Sequence, residues 1–397
     1  MILFCPEAHK IALEEADAEL TSLSMKIKRQ NQKIKKRKII KDFLKSFPHS
    51  FYLMSGKNED KRIYIAVVLA GGIGDIIRQK SAVLKLIDIF PSVIIDIYNI
   101  KSKPFLADVK NIRFFFYDYS IELTRKKYDI IVDYLSLNKV TSGIADLKIN
   151  NLKNDILKKF ATDFEEIKKE YPYCFGPENQ YLFQKEAVKN GLNINSVMKL
   201  TAGIKDVKEN DLVLNYKYQD IAKFGLSKRD KYITFQHGWG NRGYVPRINR
   251  WHTKIWETKS WKRLLENIKR KLKYFKVVQV GISSDCFEET DIDLNGKTSF
   301  DELCSVIKYS SLHIDTDGGC VHIARALNVK SVVLFGPSNA KYVGYENNIN
   351  ITSGLCSDCF TVIKDWDLKC IRGFDKAVCM DSISPDFVAK VICNQLA

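Results

Sequence analysis

Short, continuous runs of apolar residues alternate with amphipathic segments from residue 62 onward. The first run, RIYIAVVLA at residues 62–70, precedes a glycine turn and an amphipathic segment, IIRQKSAVLKLIDIF. The runs SVIIDIYNI, IRFFFYDY and YDIIVDYLS follow. Unbroken apolar runs of this length are typical of strands that are buried on both faces of a parallel sheet. The order of strand, turn, helix and strand predicts a βαβ unit.

A second series of the same kind begins at KYITFQHGW, residues 231–239. FKVVQVG, SLHIDT and SVVLFGPS predict strands, and KSWKRLLENIKRKL, SFDELCSVIKYS and GGCVHIARALN predict helices. Residues 150–228 are mixed and mostly helical in pattern. We therefore predict two Rossmann-like α/β domains, residues 59–228 and 229–397, that face each other across a cleft. In such sheets ligands bind at the carboxyl ends of the strands.

Composition limits the class of protein. Hydrophobic residues make up 45% of the 397 residues, which supplies enough apolar material for packed cores and excludes a disordered chain. The longest apolar run, residues 63–73, is too short to cross a bilayer. The first ten residues lack the pattern of a secretory signal. We therefore expect a cytoplasmic protein.

Residues 1–58 form a charged extension, and the helical spacing of its apolar residues predicts one or two helices. Ten basic residues and one acidic residue, Asp42, lie between Lys26 and Lys45, so this stretch carries nine (ten minus one) of the sixteen excess positive charges. Such a run is typical of an arm for the anionic inner membrane, for an acidic partner or for homo-oligomer assembly. The simpler interpretation, which we favour for the run itself, is a solvated basic helix. No known RNA- or DNA-binding pattern accompanies it, so we do not expect nucleic acid as a partner.

Four of the ten cysteines lie close together in the sequence. Cys356 and Cys359 form a C-x-x-C pair, and Cys370 and Cys379 complete a stretch of 24 residues. Four thiolates at this density suit a structural zinc or iron ion, although the spacing is not that of a standard zinc ribbon. A disulfide or redox pair and four unligated thiols are the alternatives. We expect this cysteine cluster to lie far from the catalytic residues.

A glycine turn follows the first predicted strand directly. Gly71, Gly72 and Gly74 allow a ligand to approach the backbone, and the N-terminus of the following helix favours anions. Asp75 is placed to take a proton from an acceptor hydroxyl as a general base. The simpler interpretation is that Asp75 caps the helix.

The stretch HIDTDGGCVHIARAL ends a later strand with an acid and two glycines. The backbone at Gly318 and Gly319 can receive a diphosphate at the start of the next helix. Asp317 and His322 can contact sugar or phosphate oxygens. Alternatively, Asp317 caps this helix and His322 is an interior histidine whose hydrogen bonds are satisfied.

A third candidate segment follows the strand that begins with KYITF. Gln236, His237 and Gly238 come at the carboxyl end of that strand, where a ligand of an α/β sheet binds. Lys254 precedes the next predicted helix and can neutralise a leaving diphosphate as a point charge. The alternative is that Lys254 is one surface lysine among many.

Together these motifs resemble glycosyltransferase family 9, which contains the heptosyltransferases of bacterial lipopolysaccharide and relatives that modify autotransporter adhesins. The G-D and K-x-W motifs of the family match Gly74 with Asp75 and Lys254 with Trp256. The family pattern T-S-L-x-E, D-[ST]-G-x-x-H-x-A and V-x-L-F-G-P-[ST] is matched by Thr298, Ser299, Glu302, Asp317, Gly319, His322, Ala324, Leu334, Phe335, Gly336, Pro337 and Ser338.

Two positions depart from the family pattern: Gly318 replaces Ser or Thr, and Phe300 replaces Leu. The similarity extends over about residues 62–393 and is strongest in the second half. Many members also carry a C-x-x-C followed by C-M-x-x-I, which the cysteine cluster matches up to Ile383. In the adhesin-modifying branch four such cysteines hold iron, so the resemblance implies an iron site at this cluster.

The resemblance implies a GT-B fold, with the acceptor on the first domain and the nucleotide sugar on the second. It implies an inverting transfer without a catalytic metal, in which Asp75 is the base and Lys254 stabilises the leaving diphosphate. The acceptor is then a hydroxyl of lipopolysaccharide, capsule or protein, and ADP-heptose is the donor best represented in the family. The donor-binding residues are predicted to be Gln236, His237, Gly238, Lys254, Asp317, Gly318, Gly319 and His322, with Gly71, Gly72 and Gly74 in the acceptor loop.

Two other classes of function are compatible with the sequence. The first is a catalytically inactive nucleotide-sugar-binding or scaffold protein, but a binding module does not need both Asp75 and Lys254. The second is a basic nucleic-acid-binding protein with a metal knuckle, which predicts binding that weakens steeply with salt.

Overall fold

A computed structural model describes the chain from residue 62 to its last residue, with gaps. The described residues are 62–99, 102–106, 108–115, 128–134, 155–175, 180–207, 212–237, 244–245, 250–282, 287–363 and 365–397. The predicted extension at residues 1–58 and the predicted donor-binding Gly238 lie outside them. Among the described residues, no helix has the length and apolar character needed to span a membrane.

The first sheet has four parallel strands in the order β3-β2-β1-β4. These strands are β1 Ile63–Val68, β2 Val93–Tyr98, β3 Ile112–Phe115 and β4 Ile130–Asp133. β1 is an interior strand, which pairs with β2 on one side and β4 on the other. Five of its six residues are buried, as the unbroken apolar run predicts.

The second sheet has six parallel strands in the order β12-β11-β10-β5-β8-β9. A short antiparallel pair, β6 with β7, lies outside this sheet. The strands are β5 Tyr232–Phe235, β6 Tyr244–Val245, β7 Arg250–Trp251, β8 Lys276–Gln279, β9 Ile292–Asp293, β10 Leu312–Thr316, β11 Ser331–Phe335 and β12 Ile349–Thr352.

Helices cover the sheets, and local sequence explains where several of them begin. Ser299 starts α7 with a capping box, because its hydroxyl accepts the Glu302 N–H while the Glu302 carboxylate accepts the Ser299 N–H. The helices are α1 Ile73–Ile89, α2 Lys103–Leu106, α3 Asp155–Glu170, α4 Gln180–Lys189, α5 Ile194–Thr201, α6 Thr258–Lys271, α7 Phe300–Lys308, α8 Gly319–Ala326, α9 Ala340–Val343, α10 Val378–Asp381 and α11 Pro385–Leu396.

Each sheet has a point at which the direction of strand addition reverses. In the first sheet the chain moves from β1 outward to β2 and β3, and then returns to the other side of β1 as β4. In the second sheet it moves from β5 to β8 and β9, and then returns to the other side of β5 as β10. Ligands of open α/β sheets bind in the crevice at such reversal points. The predicted site residues after β1, β5 and β10 all lie beside one of the two.

α1 from the first sheet packs directly on α8 from the second. Ile77 of α1 is fully buried in a cluster that also contains Val321 of α8 and Phe335 of β11. The apolar packing between the two helices therefore brings the two reversal points to the same part of the molecule.

The predicted α/β fold with two parallel sheets is confirmed. The domain boundaries at residues 58/59 and 228/229 stay predictions, although residues 228/229 do fall between the last strand of one sheet and the first of the other. β9, β12 and the β6–β7 pair were not predicted. β6, β7 and β9 have only two residues each, which is too short for an apolar period to be visible in the sequence.

Candidate active site

The glycine turn after β1 holds Asp75 in the first turn of α1. Gly71 has φ of +92°, a left-handed conformation that favours glycine, and a Cβ atom there would overlap the Asp75 carboxylate. The Gly72 N–H donates to Asp75 Oδ2 at 2.8 Å. Asp75 is therefore not the N-cap residue, which is Gly72, but it does bind the backbone at the start of the helix.

The environment of Asp75 makes its carboxylate a stronger base than an exposed one. Burial raises the pKa of Asp75, and this effect outweighs the opposing influence of Arg78, the Gly72 N–H and Lys254. A carboxyl group with a raised pKa has a higher proton affinity when it is ionised, which is the property that a general base requires.

Asp317 follows β10 and forms an ion pair with Lys254 through its Oδ2 atom. Ser338, after β11, donates its hydroxyl to the same oxygen at 2.7 Å. Burial alone would raise the pKa of Asp317, but Lys254 and Ser338 hold it at about 2. Gly318 is the N-cap residue of α8, so the interpretation of Asp317 as a simple helix cap is wrong. Through its ion pair, Asp317 instead holds the Lys254 ammonium near the start of α8.

Two aromatic rings pack on the Lys254 ammonium. Its Nζ atom lies 5.1 Å from the centre of the Phe360 ring and 5.5 Å from that of Trp366. The two rings contact each other edge-on, with centres 4.2 Å apart. Cation–π attraction at these distances adds to the ion pair with Asp317 in fixing the ammonium. Sequence reasoning missed both rings.

Phe360 and Trp366 belong to the segment that carries the cysteine cluster. Thr253, the neighbour of Lys254, donates its hydroxyl to the Trp366 carbonyl at 2.9 Å, and its N–H donates to the Asp367 carbonyl at 2.9 Å. The expectation that the cluster lies far from the catalytic candidates is therefore wrong. The described residues of this segment instead bond to Thr253 before Lys254, and through Lys376 to Glu257 after it.

Cys356, Cys359, Cys370 and Cys379 line one small cavity together with Thr253. No disulfide bond joins the described cysteines, and no three of the described His, Cys, Asp and Glu side chains are arranged as metal ligands. The chemistry of the donor set does fit a metal ion. The Cys379 thiol and Arg372 lower the pKa of Cys356 to about 6, which favours the thiolate that zinc and iron bind.

Gly318 has a local reason to replace the Ser or Thr of the family pattern. A Cβ atom at this position would lie 2.9 Å from the Asp315 carboxylate, a side chain that points under the start of α8. Asp315 is fully buried, its oxygens have no side-chain hydrogen-bond partner among the described residues, and burial raises its pKa well above the ordinary value. Its neighbour on β10 is His313, with Nε2 at 3.5 Å from Asp315 Oδ2. Sequence reasoning missed Asp315.

His322 lies at the contact between α1 and α8. Its Nδ1 atom is 2.7 Å from the Tyr345 hydroxyl, and its ring occupies the space that a Cβ atom on Gly74 would need. Glycine at position 74 is therefore required for the two helices to approach. His322 is interior, as the simpler interpretation states, but it also adjoins the turn that holds Asp75.

Gln236 and His237 lie at the carboxyl end of β5, next to β10, as predicted. The Gln236 N–H bonds to the Ile314 carbonyl at 3.0 Å, and its side chain packs on Gly281. The His237 ring packs between Trp261 and Phe287, with centres 5.9 and 5.1 Å away. These aromatic surroundings of His237 are typical of a core position.

The second half of the chain matches a known family by sequence. Residues 180–362 match glycosyltransferase family 9 (heptosyltransferase). This stretch of the chain is therefore similar in sequence to the heptosyltransferases of that family. The matched residues include Lys254, Asp317 and His322. Asp75 precedes them, so its assignment depends on its position opposite these residues in the structure. No curated protein is significantly similar to this chain in sequence.

Solved structures with the same fold include glycosyltransferases of this type. The dodecameric iron-containing heptosyltransferase TibC in complex with ADP-D-beta-D-heptose is 13% identical over 85% of this chain and 77% of that one, with a TM-score of 0.57. TibC from enterotoxigenic E. coli H10407 gives 13% over 84% and 78%, with a TM-score of 0.55. The E. coli ADP-heptose LPS heptosyltransferase II gives 16% over 84% and 98%, with a TM-score of 0.50. At these identities the likeness establishes the fold alone, which is GT-B-like.

The buried Asp315 under α8 predicts a dependence of stability on pH. With its raised pKa, folded Asp315 keeps its proton at a pH where the unfolded carboxyl, with a pKa near 4, has lost it. The free energy of unfolding should therefore fall, by up to about 1.4 kcal/mol per pH unit, as the pH rises above about 4 towards the raised pKa of folded Asp315.

Asp315→Asn should remove that contribution, which urea unfolding of both proteins at several pH values would measure. Asp155→Asn, at an exposed carboxylate on α3, is the matched control and should leave the pH dependence unchanged. Equal slopes for the wild type and Asp315→Asn would show that Asp315 is ionised in the fold.

Proposed function

We propose that this protein is an inverting glycosyltransferase that moves heptose from ADP-heptose to a hydroxyl of a bacterial surface glycan or protein. The observation that carries this proposal is that Asp75 lies close enough to Lys254 and Asp317 for their charges to act on its pKa. A buried carboxylate beside the first sheet therefore lies near a buried ammonium beside the second. A transferase needs this pair, because one group receives a proton while the other meets a leaving anion.

In the proposed reaction Asp75 takes the proton of the acceptor hydroxyl. The hydroxyl oxygen forms a bond to C1 of the sugar, on the face opposite the diphosphate. The bond from C1 to the diphosphate oxygen breaks, and its electron pair leaves with the nucleoside diphosphate. The Lys254 ammonium and the N–H groups at the start of α8 receive this charge, so no step calls on a catalytic metal.

The ADP-heptose donor is supported by the family match and by the ligand in the TibC complex. The acceptor, the cytoplasmic location and contact with the anionic inner membrane stay predictions. The membrane contact depends on the basic run between Lys26 and Lys45, which lies outside the described residues. Assembly into a homo-oligomer is likewise a prediction, suggested by the dodecameric TibC.

The cysteine cluster is proposed to hold one structural iron or zinc ion. Cys356, Cys359, Cys370 and Cys379 would be its ligands, and the ion would cross-link the segment that carries Phe360 and Trp366. TibC, which shares the fold, contains iron. Through the two rings this segment also fixes Lys254, so the proposed role of the ion is to stabilise the fold and to keep Lys254 in place.

The nucleotide preference is the first prediction. Calorimetric titration should show that ADP binds with a dissociation constant in the micromolar range, whereas UDP, GDP and NAD bind more weakly. Lys254→Met keeps the apolar stem but removes the charge, so ADP binding should weaken at least about tenfold. Lys262→Met, at an exposed lysine on α6, is the control. Tighter binding of UDP or GDP would exclude heptose from ADP-heptose as the transferred group, and binding of none would contradict a transferase.

The second prediction concerns the base. Asp75→Asn keeps an oxygen that can accept the Gly72 N–H, so the turn should fold normally. Turnover with ADP-heptose should fall about 10²–10⁴-fold, while ADP affinity stays within about threefold of the wild type. Wild-type kcat should also decrease as the pH falls through the raised pKa of Asp75, because only the ionised carboxylate accepts a proton. If Asp75→Asn kept more than about a tenth of the turnover, Asp75 would not be the base.

The third prediction concerns the metal. Elemental analysis of protein purified without added metal should find about one iron or zinc ion per chain. Cys356→Ser should lower this content and the thermal stability, whereas Cys393→Ser on α11 should change neither. A wild-type protein that contains neither metal would leave the four cysteines as plain thiols and contradict the proposal.

A further inference from the structure

Arg78 joins the two sheets through side chains that no motif identifies. It lies on α1 and is 3% exposed, and its Nη2 atom donates to the Val343 carbonyl at the end of α9. Its Nε atom donates to the Tyr345 hydroxyl at 3.2 Å, and the guanidinium carbon lies 5.3 Å from the centre of the Tyr345 ring. The same hydroxyl is 2.7 Å from Nδ1 of His322. Arg78, Tyr345 and His322 thus form one chain of hydrogen bonds across the contact between the sheets.

The direction of this chain follows from the chemistry of its members. A guanidinium can only donate, so the Tyr345 oxygen accepts from Arg78. A neutral imidazole nitrogen is a much stronger base than a phenol oxygen, so the short bond to His322 has the Tyr345 hydroxyl as donor and Nδ1 as acceptor. Acceptance from a cation polarises the phenol and strengthens its donation.

His322 is held in its neutral form by the same surroundings. Burial lowers the pKa of His322 well below its ordinary value, and the cations Arg78 and Lys254 act in the same direction. Asp317, the anion near the ring, opposes this and does not outweigh it. A neutral imidazole with an accepting Nδ1 carries its proton on Nε2.

The Nε2 atom faces the turn that precedes Asp75, since a Cβ atom on Gly74 would overlap this side of the ring. No described residue forms a hydrogen bond with Nε2. An N–H at this place is a donor for an oxygen atom that enters between α1 and α8. It can meet a phosphate or a sugar hydroxyl of the nucleotide sugar without bringing a second full positive charge beside Arg78 and Lys254.

We propose that Arg78 and Tyr345 are positioning residues that fix His322 as the Nε2–H tautomer, so that Nε2 donates a hydrogen bond to the bound nucleotide sugar. The fixed tautomer is a property of the free protein. Only its use as a donor group for the nucleotide sugar depends on the glycosyltransferase function proposed above. Arg78 lies on α1, which follows β1 of the first sheet, and Tyr345 lies between β11 and β12 of the second. The tautomer is therefore fixed only when these two parts of the protein are in contact.

Nitrogen NMR of protein labelled in its six histidines tests the tautomer directly. A His322→Gln variant assigns the His322 resonances by their absence. We expect the wild type to show a protonated Nε2 and an unprotonated Nδ1 at neutral pH. Tyr345→Phe removes only the hydroxyl, and it should give a mixture of both tautomers. Tyr232→Phe, at a buried tyrosine on β5 whose hydroxyl donates to the Val306 carbonyl, should leave the His322 resonances unchanged.

The same variants test the use of the tautomer in donor binding. Tyr345→Phe should raise KM for ADP-heptose about five- to tenfold, the value of one hydrogen bond to the bound donor, while kcat changes less than threefold. Arg78→Lys keeps the charge but loses the fixed geometry of the guanidinium, and it should shift the tautomer in the same direction as Tyr345→Phe. If Arg78→Lys does not fold, Tyr345→Phe alone decides. Addition of ADP-heptose should move the Nε2 resonance in the wild type.

Three results would overturn the proposal. A wild-type His322 with its proton on Nδ1 would reverse the direction of the hydrogen bonds. An unchanged tautomer in Tyr345→Phe would show that something other than Tyr345 fixes it. A Nε2 resonance that does not move although the nucleotide sugar binds would remove the donor role. If the tautomer behaves as expected but no nucleotide binds, the proposed transferase function fails and the positioning by Arg78 and Tyr345 stands.

Discussion

The close packing of α1 on α8 is the constraint on which the candidate site depends. Each helix begins at a glycine turn after a strand, and Gly74 lets the first turn of α1 come against the His322 ring. Ile77 buries the apolar side of the same contact. If the helices stood farther apart, Asp75 would not share a space with Lys254 and Asp317. The positions of Asp75 and Lys254 relative to each other thus depend on the apolar packing at Ile77 and on the absence of a side chain at Gly74.

The surroundings of the two carboxylates shift their pKa values in opposite directions. Lys254 and Ser338 lower the pKa of Asp317, which remains an anion that holds a lysine in place. Asp75 has less compensation, and burial raises its pKa toward the range of a useful base. Environments that separate the pKa values of neighbouring groups in this way are typical of sites that carry out acid–base chemistry.

The cysteine cluster connects stability to this arrangement. Its segment supplies Phe360 and Trp366 to Lys254, and Thr253 bonds to the same segment. A change at the cysteines that moves Phe360 or Trp366 should therefore also change the position of the Lys254 ammonium. The proposed structural ion and the proposed role of Lys254 are therefore not independent of each other.

The sequence by itself determined the α/β class, the parallel strands and the turns after β1, β5 and β10, because apolar runs and glycines are local features. It also predicted Asp75, Lys254, Asp317 and His322 as site residues, because each lies next to such a turn or matches a motif. Only the tertiary structure identified Arg78 and Tyr345, which are 267 residues apart, and the rings that cover Lys254. The role of a buried arginine or tyrosine depends on the residue with which it forms a hydrogen bond. A local sequence pattern cannot predict that partner when it is so distant in the chain.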